Sequence, residues 1–263
     1  MSRLHYSYHM QLSFESPVKE HYFKLRCFPS SDERQKISGE HIKIFPAHFS
    51  NSERDSFGNM CIYGTALQTH SRFSVDVSGT AEINALFNVK ADTNRIHVFK
   101  YETKLTTAGA NIRAFHRTFP PLSYMTFYER AVFMMERLFE EFYYMPGKTG
   151  VFTTAEEAFS MGHGVCQDYA QILLTLCRID RIPCRYVTGM IPGEGATHAW
   201  TEIYSPESSE WIAIDPTHNR KCDGTYIKIS SGRDSQDCAI NQGVFTGGGR
   251  QSQEIKVIVA EAF

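Results

Sequence analysis

The feature that most constrains the fold is a strict two-residue alternation near the start of the chain. In residues 4–14 every even position carries an apolar or aromatic side chain and every odd position carries a polar one. Side chains alternate between the two faces of a β-strand, so this pattern predicts a strand with one buried face. Further β-like runs follow at 22–28, 35–45, 60–69, 72–78 and 95–101. Short strands at this spacing favour an antiparallel β-sandwich.

The pattern changes to helical spacing in the second half of the chain. Apolar residues recur every three to four positions over 124–144, which predicts an amphipathic helix that ends before Pro146. The segment Thr153-Thr154-Ala155-Glu156 has the form of a capping box and predicts a short second helix that ends near Ser160. Residues 166–179 are apolar around much of the helix circumference, which is typical of a central, buried helix. Strands are predicted at 184–188, 198–204, 211–215 and 254–260.

Composition excludes several classes of protein. The 263 residues carry a net charge of −2 and no basic cluster, so we expect neither a nucleic-acid nor a membrane partner. No apolar run is long enough to span a bilayer. The first residues lack the apolar segment of a signal peptide, and the seven cysteines are odd in number and contain no C-x-x-C pair. We therefore expect reduced thiols, a cytoplasmic location and no metal site.

Three short segments carry a pattern that suggests chemistry. Cys166 lies at the predicted start of the buried helix, where a helix N-terminus favours a reactive thiolate. His198 opens a predicted strand and is a candidate base for that thiol. Asp215 ends the next strand and would lie beside His198 if the two strands form a hairpin. Gly164, just before the helix, lets the chain turn sharply and lets a substrate approach the backbone.

These segments resemble bacterial members of the transglutaminase-like superfamily, within the wider papain-like group of cysteine enzymes. The resemblance rests on motifs that start at Gly164, Ile182, His198 and Asp215 in the printed sequence: GVCQDYA, IPCRYV, HAW and DPT. Weaker similarity extends to the β-rich region that precedes the core in this family, including Phe57-Gly58-Asn59.

The resemblance implies a Cys166 nucleophile, a His198 base and an Asp215 that orients the imidazole, with acyl transfer through a thioester. Animal members use calcium, but no acidic ligand loop is visible here, so we expect no cofactor. Those members also use a tryptophan upstream of the nucleophile as an oxyanion donor, and both tryptophans of this chain follow Cys166. We therefore assign that role to backbone groups, Gln167 or Tyr144. Trp200 either lines the active-site cleft or only packs beside His198.

The sequence thus predicts an α+β protein in two parts. Residues 1–115 are predicted to form an N-terminal antiparallel β-sandwich, and 116–263 a papain-like transglutaminase core with its central helix packed on an antiparallel sheet. The favoured activity is that of a cysteine peptidase or amidase acting on a peptide, a protein or a small amide. Two alternatives stay open: amine transfer to protein glutamine by a transglutaminase, and a non-catalytic peptide-binding module.

Overall fold

The computed structural model describes residues 1–262. Its helices are α1 (Ala110–His116), α2 (Phe127–Glu141), α3 (Ala155–Met161) and α4 (Cys166–Ile179). Its strands are β1 (Ser2–Leu25), β2 (Gln35–Phe45), β3 (Phe49–Arg54), β4 (Met60–Ala66), β5 (His70–Ile83), β6 (Val89–Lys90), β7 (Tyr143–Tyr144), β8 (His163–Gly164), β9 (Cys184–Met190), β10 (His198–Ser205), β11 (Glu210–Asp215), β12 (Arg220–Lys221), β13 (Ile227–Gly232), β14 (Asn241–Gly247) and β15 (Gln251–Glu261). None of these helices has the length and apolar character needed to cross a membrane.

The long strand β1 organises the first sheet. Its first half pairs with β5 on one side and β15 on the other, and its second half pairs with β4 and β14. The neighbours change where the register shifts, between Ser13 and Val18. Apolar side chains from both halves share one core, and the Phe23 and Phe73 rings lie 4.9 Å apart between centroids. The region predicted as an N-terminal antiparallel β-sandwich is antiparallel and rich in sheet, and its strands β1–β5 belong to one sheet that curls around β1.

The second sheet supports the central helix. Its strand order is β12-β11-β10-β9-β13, and every pairing within it is antiparallel. Helix α4 packs against β9, β10, α2 and α3, and each of its residues from Asp168 to Arg178 is buried. This arrangement confirms the predicted α+β core, since a helix that is apolar around its girth requires partners on several sides.

The predicted boundary at residue 115 does not separate the two sheets. Strands β14 and β15 follow the second sheet in the chain but pair with β1 of the first. In addition, Met190, Ile227 and Ile229 of the second sheet are buried in the core of the first. Strand pairing of this kind joins residues that are distant in sequence, so local patterns did not reveal it.

The strand predicted at 95–101 is wrong. Ile96–Lys100 form a 3-10 turn, and Phe99 is its buried residue. The Phe99 ring packs edge-to-face on Trp211, with 5.2 Å between centroids. The apolar residues of this segment are thus used in packing against the second sheet rather than in a strand of their own.

Candidate active site

Helix α4 presents Cys166 as its first residue. The carboxylate of Asp168 fixes the helix start, because its Oδ2 accepts a hydrogen bond from the Val165 N–H at 2.8 Å and one from the Thr149 hydroxyl at 2.6 Å. The other six cysteines are buried, whereas Cys166 is partly exposed. One thiol is therefore accessible, at a helix end whose unpaired N–H groups favour negative charge.

The predicted hairpin of β10 and β11 brings His198 and Asp215 together. His198 Nε2 lies 2.8 Å from Asp215 Oδ2, and both side chains are fully buried. The other ring nitrogen, Nδ1, has no hydrogen-bond partner among the residues that the structure describes. Cys166 lies close enough to affect the protonation of the ring. Nδ1 is therefore the nitrogen that remains available to the thiol.

The electrostatics of this pair favour an imidazolium beside a carboxylate. Burial alone would lower the pKa of His198, but the hydrogen bond to Asp215 and the contact with Cys166 outweigh it and raise that pKa to about 10. Burial would likewise raise the pKa of Asp215, but its hydrogen bonds with His198 and other donors hold it well below the usual range. The arrangement can hold a proton on His198 beside the Cys166 thiol.

Cys166 and His198 open onto one cleft of about 610 Å³. Its walls come from β9 and β10, from residues 235, 236 and 238–242, and from β15, while Val151 and Phe152 contribute an apolar rim. This volume is in the range of small-molecule and peptide sites. A substrate carbonyl can thus reach the thiol from solvent.

Family models match both halves of this arrangement. Residues 122–216 match the model of the transglutaminase-like superfamily, and residues 4–82 match that of the bacterial transglutaminase-like N-terminal region. The chain belongs to the transglutaminase-like superfamily. The match to the core spans Cys166, His198 and Asp215.

The relatives of this superfamily member include proteins of mycobacteria and of Cytophaga hutchinsonii. An uncharacterised protein of Mycobacterium leprae is 25% identical over 93% of this chain and 93% of its own length. An uncharacterised protein of Mycobacterium tuberculosis is 30% identical over 42% of this chain and 40% of its own length. The crystal structure of a "putative cysteine protease" from Cytophaga hutchinsonii shares the fold, with a TM-score of 0.76 and 21% identity over 99% of this chain and 90% of that one.

Three further candidate residues lie near the thiol. Gly164 in β8 pairs in parallel with Tyr144 in β7, and the Met145 N–H donates to the Gly164 carbonyl at 2.8 Å. Burial and the proximity of Cys166 both raise the pKa of the Tyr144 hydroxyl. Gln167 lines the cleft, and its amide donates to the Gly150 carbonyl at 3.2 Å. Gly164, Tyr144 and Gln167 therefore lie around the start of α4, and the oxyanion or substrate-binding role expected of them stays a prediction.

Trp200 lies behind the site rather than in the cleft. It is 2% exposed and does not line the cleft that contains Cys166. Its ring stacks on His198, with 6.3 Å between centroids and an angle of 26°. Of the two roles left open for Trp200, this position favours packing, because it supports the imidazole and does not face the substrate space.

Two residues near Asp215 were not predicted. The Nδ1 of His218 and the hydroxyl of Tyr226 each lie 2.7 Å from Asp215 Oδ2, the same oxygen that meets His198. His218 follows Asp215 by three residues in a turn, a spacing that could have suggested the contact. Tyr226 reaches Asp215 only through the fold. Both residues lie beyond the part of the chain that matches the core model.

His198, Asp215 and His218 also form a group whose ligand atoms lie within 4.8 Å of one another. Such a group is able to hold a metal ion in principle. Here the separations of 2.7 and 2.8 Å are those of hydrogen bonds to the carboxylate, which account for the cluster.

Proposed function

We propose that this protein hydrolyses amide bonds as a cysteine peptidase or amidase, through a thioester on Cys166. Membership of the transglutaminase-like superfamily supports a thiol-dependent enzyme in general. The observation that carries the finer proposal is the arrangement around the one accessible thiol. Cys166 begins a buried helix beside His198, and Asp215 holds the far nitrogen of that imidazole at 2.8 Å.

In the first half-reaction the Cys166 thiolate attacks the substrate carbonyl carbon and a C–S bond forms. Negative charge moves to the carbonyl oxygen, where the Cys166 N–H at the start of α4 is placed to donate a hydrogen bond. The His198 imidazolium then gives its proton to the leaving nitrogen, and the C–N bond breaks. An amine departs and the acyl group remains on sulfur.

In the second half-reaction water attacks the thioester and gives a proton to His198. The C–S bond breaks, a carboxylic acid leaves, and the thiolate and imidazolium are restored. Amine transfer would follow the same path with an amine in place of water. The open cleft supports hydrolysis, because a transferase must shield the thioester from solvent.

The test is to trap the acyl-enzyme. We expect a p-nitrophenyl ester of an uncharged N-acyl amino acid to add one acyl group to the folded chain, located on Cys166 by mass spectrometry. Iodoacetamide is expected to label the same single thiol, since the other six are buried, and to label all seven after unfolding in urea. The Cys166→Ser variant should show neither adduct in the folded state.

The competing activities give different outcomes. Acyl-enzyme that decays at the same rate with or without added methylamine supports hydrolysis, whereas capture of the acyl group by the amine indicates transfer. A thiol that reacts with neither the ester nor iodoacetamide would leave only a binding module and would refute the proposal.

A further inference from the structure

The lining of the cleft around Cys166 carries an unusual side-chain chemistry. Among the described residues that line it there is no aspartate, glutamate, lysine or arginine. Five of the lining residues have carboxamide side chains: Gln167, Gln236, Asn241, Gln242 and Gln253. The apolar rim residues Val151 and Phe152 are 65% and 75% exposed. The cleft therefore offers neutral hydrogen-bonding groups and exposed apolar surface.

The charged residues of the loop after β13 are paired with one another or with the backbone, and Arg26 behind this loop reaches a lining side chain through a 3.4 Å hydrogen bond from its Nη1 to Gln242 Oε1. Arg233 Nε donates to Asp237 at 2.8 Å, and Asp234 Oδ1 accepts the Gln236 N–H at 2.9 Å. Arg26, buried behind the same segment, donates to Asp55 at 2.9 Å and to the Ala239 carbonyl at 3.1 Å. These charges stabilise the loop that follows β13 and leave the described lining of the cleft outside the Cys166–His198 pair without charged side chains.

The first sheet supplies one wall of this cleft. Asn241 and Gln242 lie in β14 and Gln253 lies in β15, and both strands pair with β1. The Asn241 Oδ1 atom is buried without a hydrogen-bond partner among the described residues. A buried acceptor without a partner costs free energy unless something else donates to it.

We infer that the cleft selects an uncharged stretch of polypeptide beside the scissile amide and holds it by its main-chain amides. Carboxamide side chains both donate and accept, which suits the N–H and C=O groups of an extended chain. Away from the Cys166–His198 pair, a charged side chain would lose hydration on entering and find no opposite charge, which is costly. This inference rests on the proposed function, since it assumes that Cys166 attacks the bound chain.

The test compares reagents that differ in one charge. The probes are acetyl-Ala-X-Ala chloromethyl ketones, in which X is glutamine, glutamate, methionine or lysine, and they alkylate Cys166 with loss of chloride. Rates are divided by that of iodoacetamide, which reports the reactivity of the thiol alone. We expect the glutamine and methionine probes to react about tenfold faster than the glutamate and lysine probes.

A variant pair examines the wall itself. Gln253→Lys places a positive charge in the cleft and should shift preference toward the glutamate probe. Ser252→Lys places the same charge on the neighbouring residue of β15, which does not line the cleft, and should leave the preference unchanged. Equal rates for charged and uncharged probes, with normal iodoacetamide labelling, would overturn this inference alone. Failure of iodoacetamide to label Cys166 would instead overturn the proposed function and, with it, this inference.

Discussion

At the residue scale, the hydrogen bonds of the candidate site converge on one carboxylate oxygen. Asp215 Oδ2 lies within 2.8 Å of His198 Nε2, His218 Nδ1 and the Tyr226 hydroxyl. The second oxygen, Oδ1, accepts the Thr217 N–H at 2.9 Å. Such a network spreads the negative charge of the carboxylate over several donors, so each donor influences how strongly Asp215 holds the imidazole.

The His218 contact gives a first prediction. In His218→Phe the carboxylate loses one donor, binds the His198 proton more strongly and raises the pKa of His198 by about half to one unit. In His218→Asn the side-chain amide can replace Nδ1 as a donor, and the shift should be small. Imidazole nitrogen NMR across a pH series measures both variants. A pKa of His198 that is the same in His218→Phe as in the unaltered chain would contradict this role.

A second prediction concerns pH and stability. The pKa of His198 is raised to about 10 in the fold, so its protonated form stabilises the native state. That contribution is complete below the unfolded pKa of about 6.5 and is lost as pH rises toward the folded pKa. Over this window the free energy of unfolding should fall by a few kcal/mol more in the unaltered chain than in His198→Gln.

Urea unfolding at a series of pH values tests this second prediction. The difference between the two proteins isolates His198 from lysines and tyrosines that titrate in the same range. Stability curves that run parallel between the two proteins would show that the His198 proton does not contribute.

At the element scale, the start of α4 decides where the thiol lies. Gly164 precedes the helix, and a Cβ atom at this position would come within 2.5 Å of Asp168 Oδ2. The glycine thus leaves room for the carboxylate that accepts the Val165 N–H. The first turn of the helix and Cys166 depend on this close approach.

The third prediction follows from that contact. Gly164→Ala should displace the Asp168 carboxylate, lower the free energy of unfolding by about 1–2 kcal/mol and slow iodoacetamide labelling of Cys166. Gly150→Ala is the matched control, because a Cβ atom there meets nothing within 4 Å. Chemical denaturation and labelling kinetics measure the two effects. Equal behaviour of both variants would show that Asp168 does not position the helix.

Sequence patterns predicted the elements whose signals are local. Helix α4 has the predicted bounds because its apolar residues surround the helix, and the β10–β11 hairpin follows from two short apolar runs joined by a turn. Tyr226 was not predicted because its contact with Asp215 depends on how β13 and its preceding loop fold back. The strand predicted at 95–101 was wrong for a related reason. Phe99 is buried because it packs on Trp211, not because its segment pairs with a strand.

At the scale of the whole molecule, the two sheets share buried contacts. Ile229 of β13 is 3% exposed and lies in the core of the first sheet. The Asn59 side chain bridges the sheets by donating to the Ser231 carbonyl and accepting the Ser231 N–H, each at 2.8 Å. Contacts of this kind couple the stability of one sheet to that of the other.

The fourth prediction is a single unfolding transition. Ile229→Ala should lower the free energy of unfolding by about 2–5 kcal/mol and shift both sheets together. Tryptophan fluorescence reports the second sheet, which contains Trp200 and Trp211, and hydrogen exchange of β1 peptides reports the first. Ile258→Ala, at a position 50% exposed, is the control and should change little. Separate transitions for the two probes would contradict the coupling.

The pairing of β1 with β14 and β15 has a consequence for biosynthesis. β1 leaves the ribosome early, whereas its partners β14 and β15 come from the other end of the described chain. The first sheet therefore cannot form completely until β14 and β15 have been synthesised. Contacts between residues so far apart in sequence also form slowly. Since the same strands carry Asn241, Gln242 and Gln253, a nascent chain would expose the Cys166 thiol before the cleft around it is complete. Translation itself thus delays maturation of the cleft.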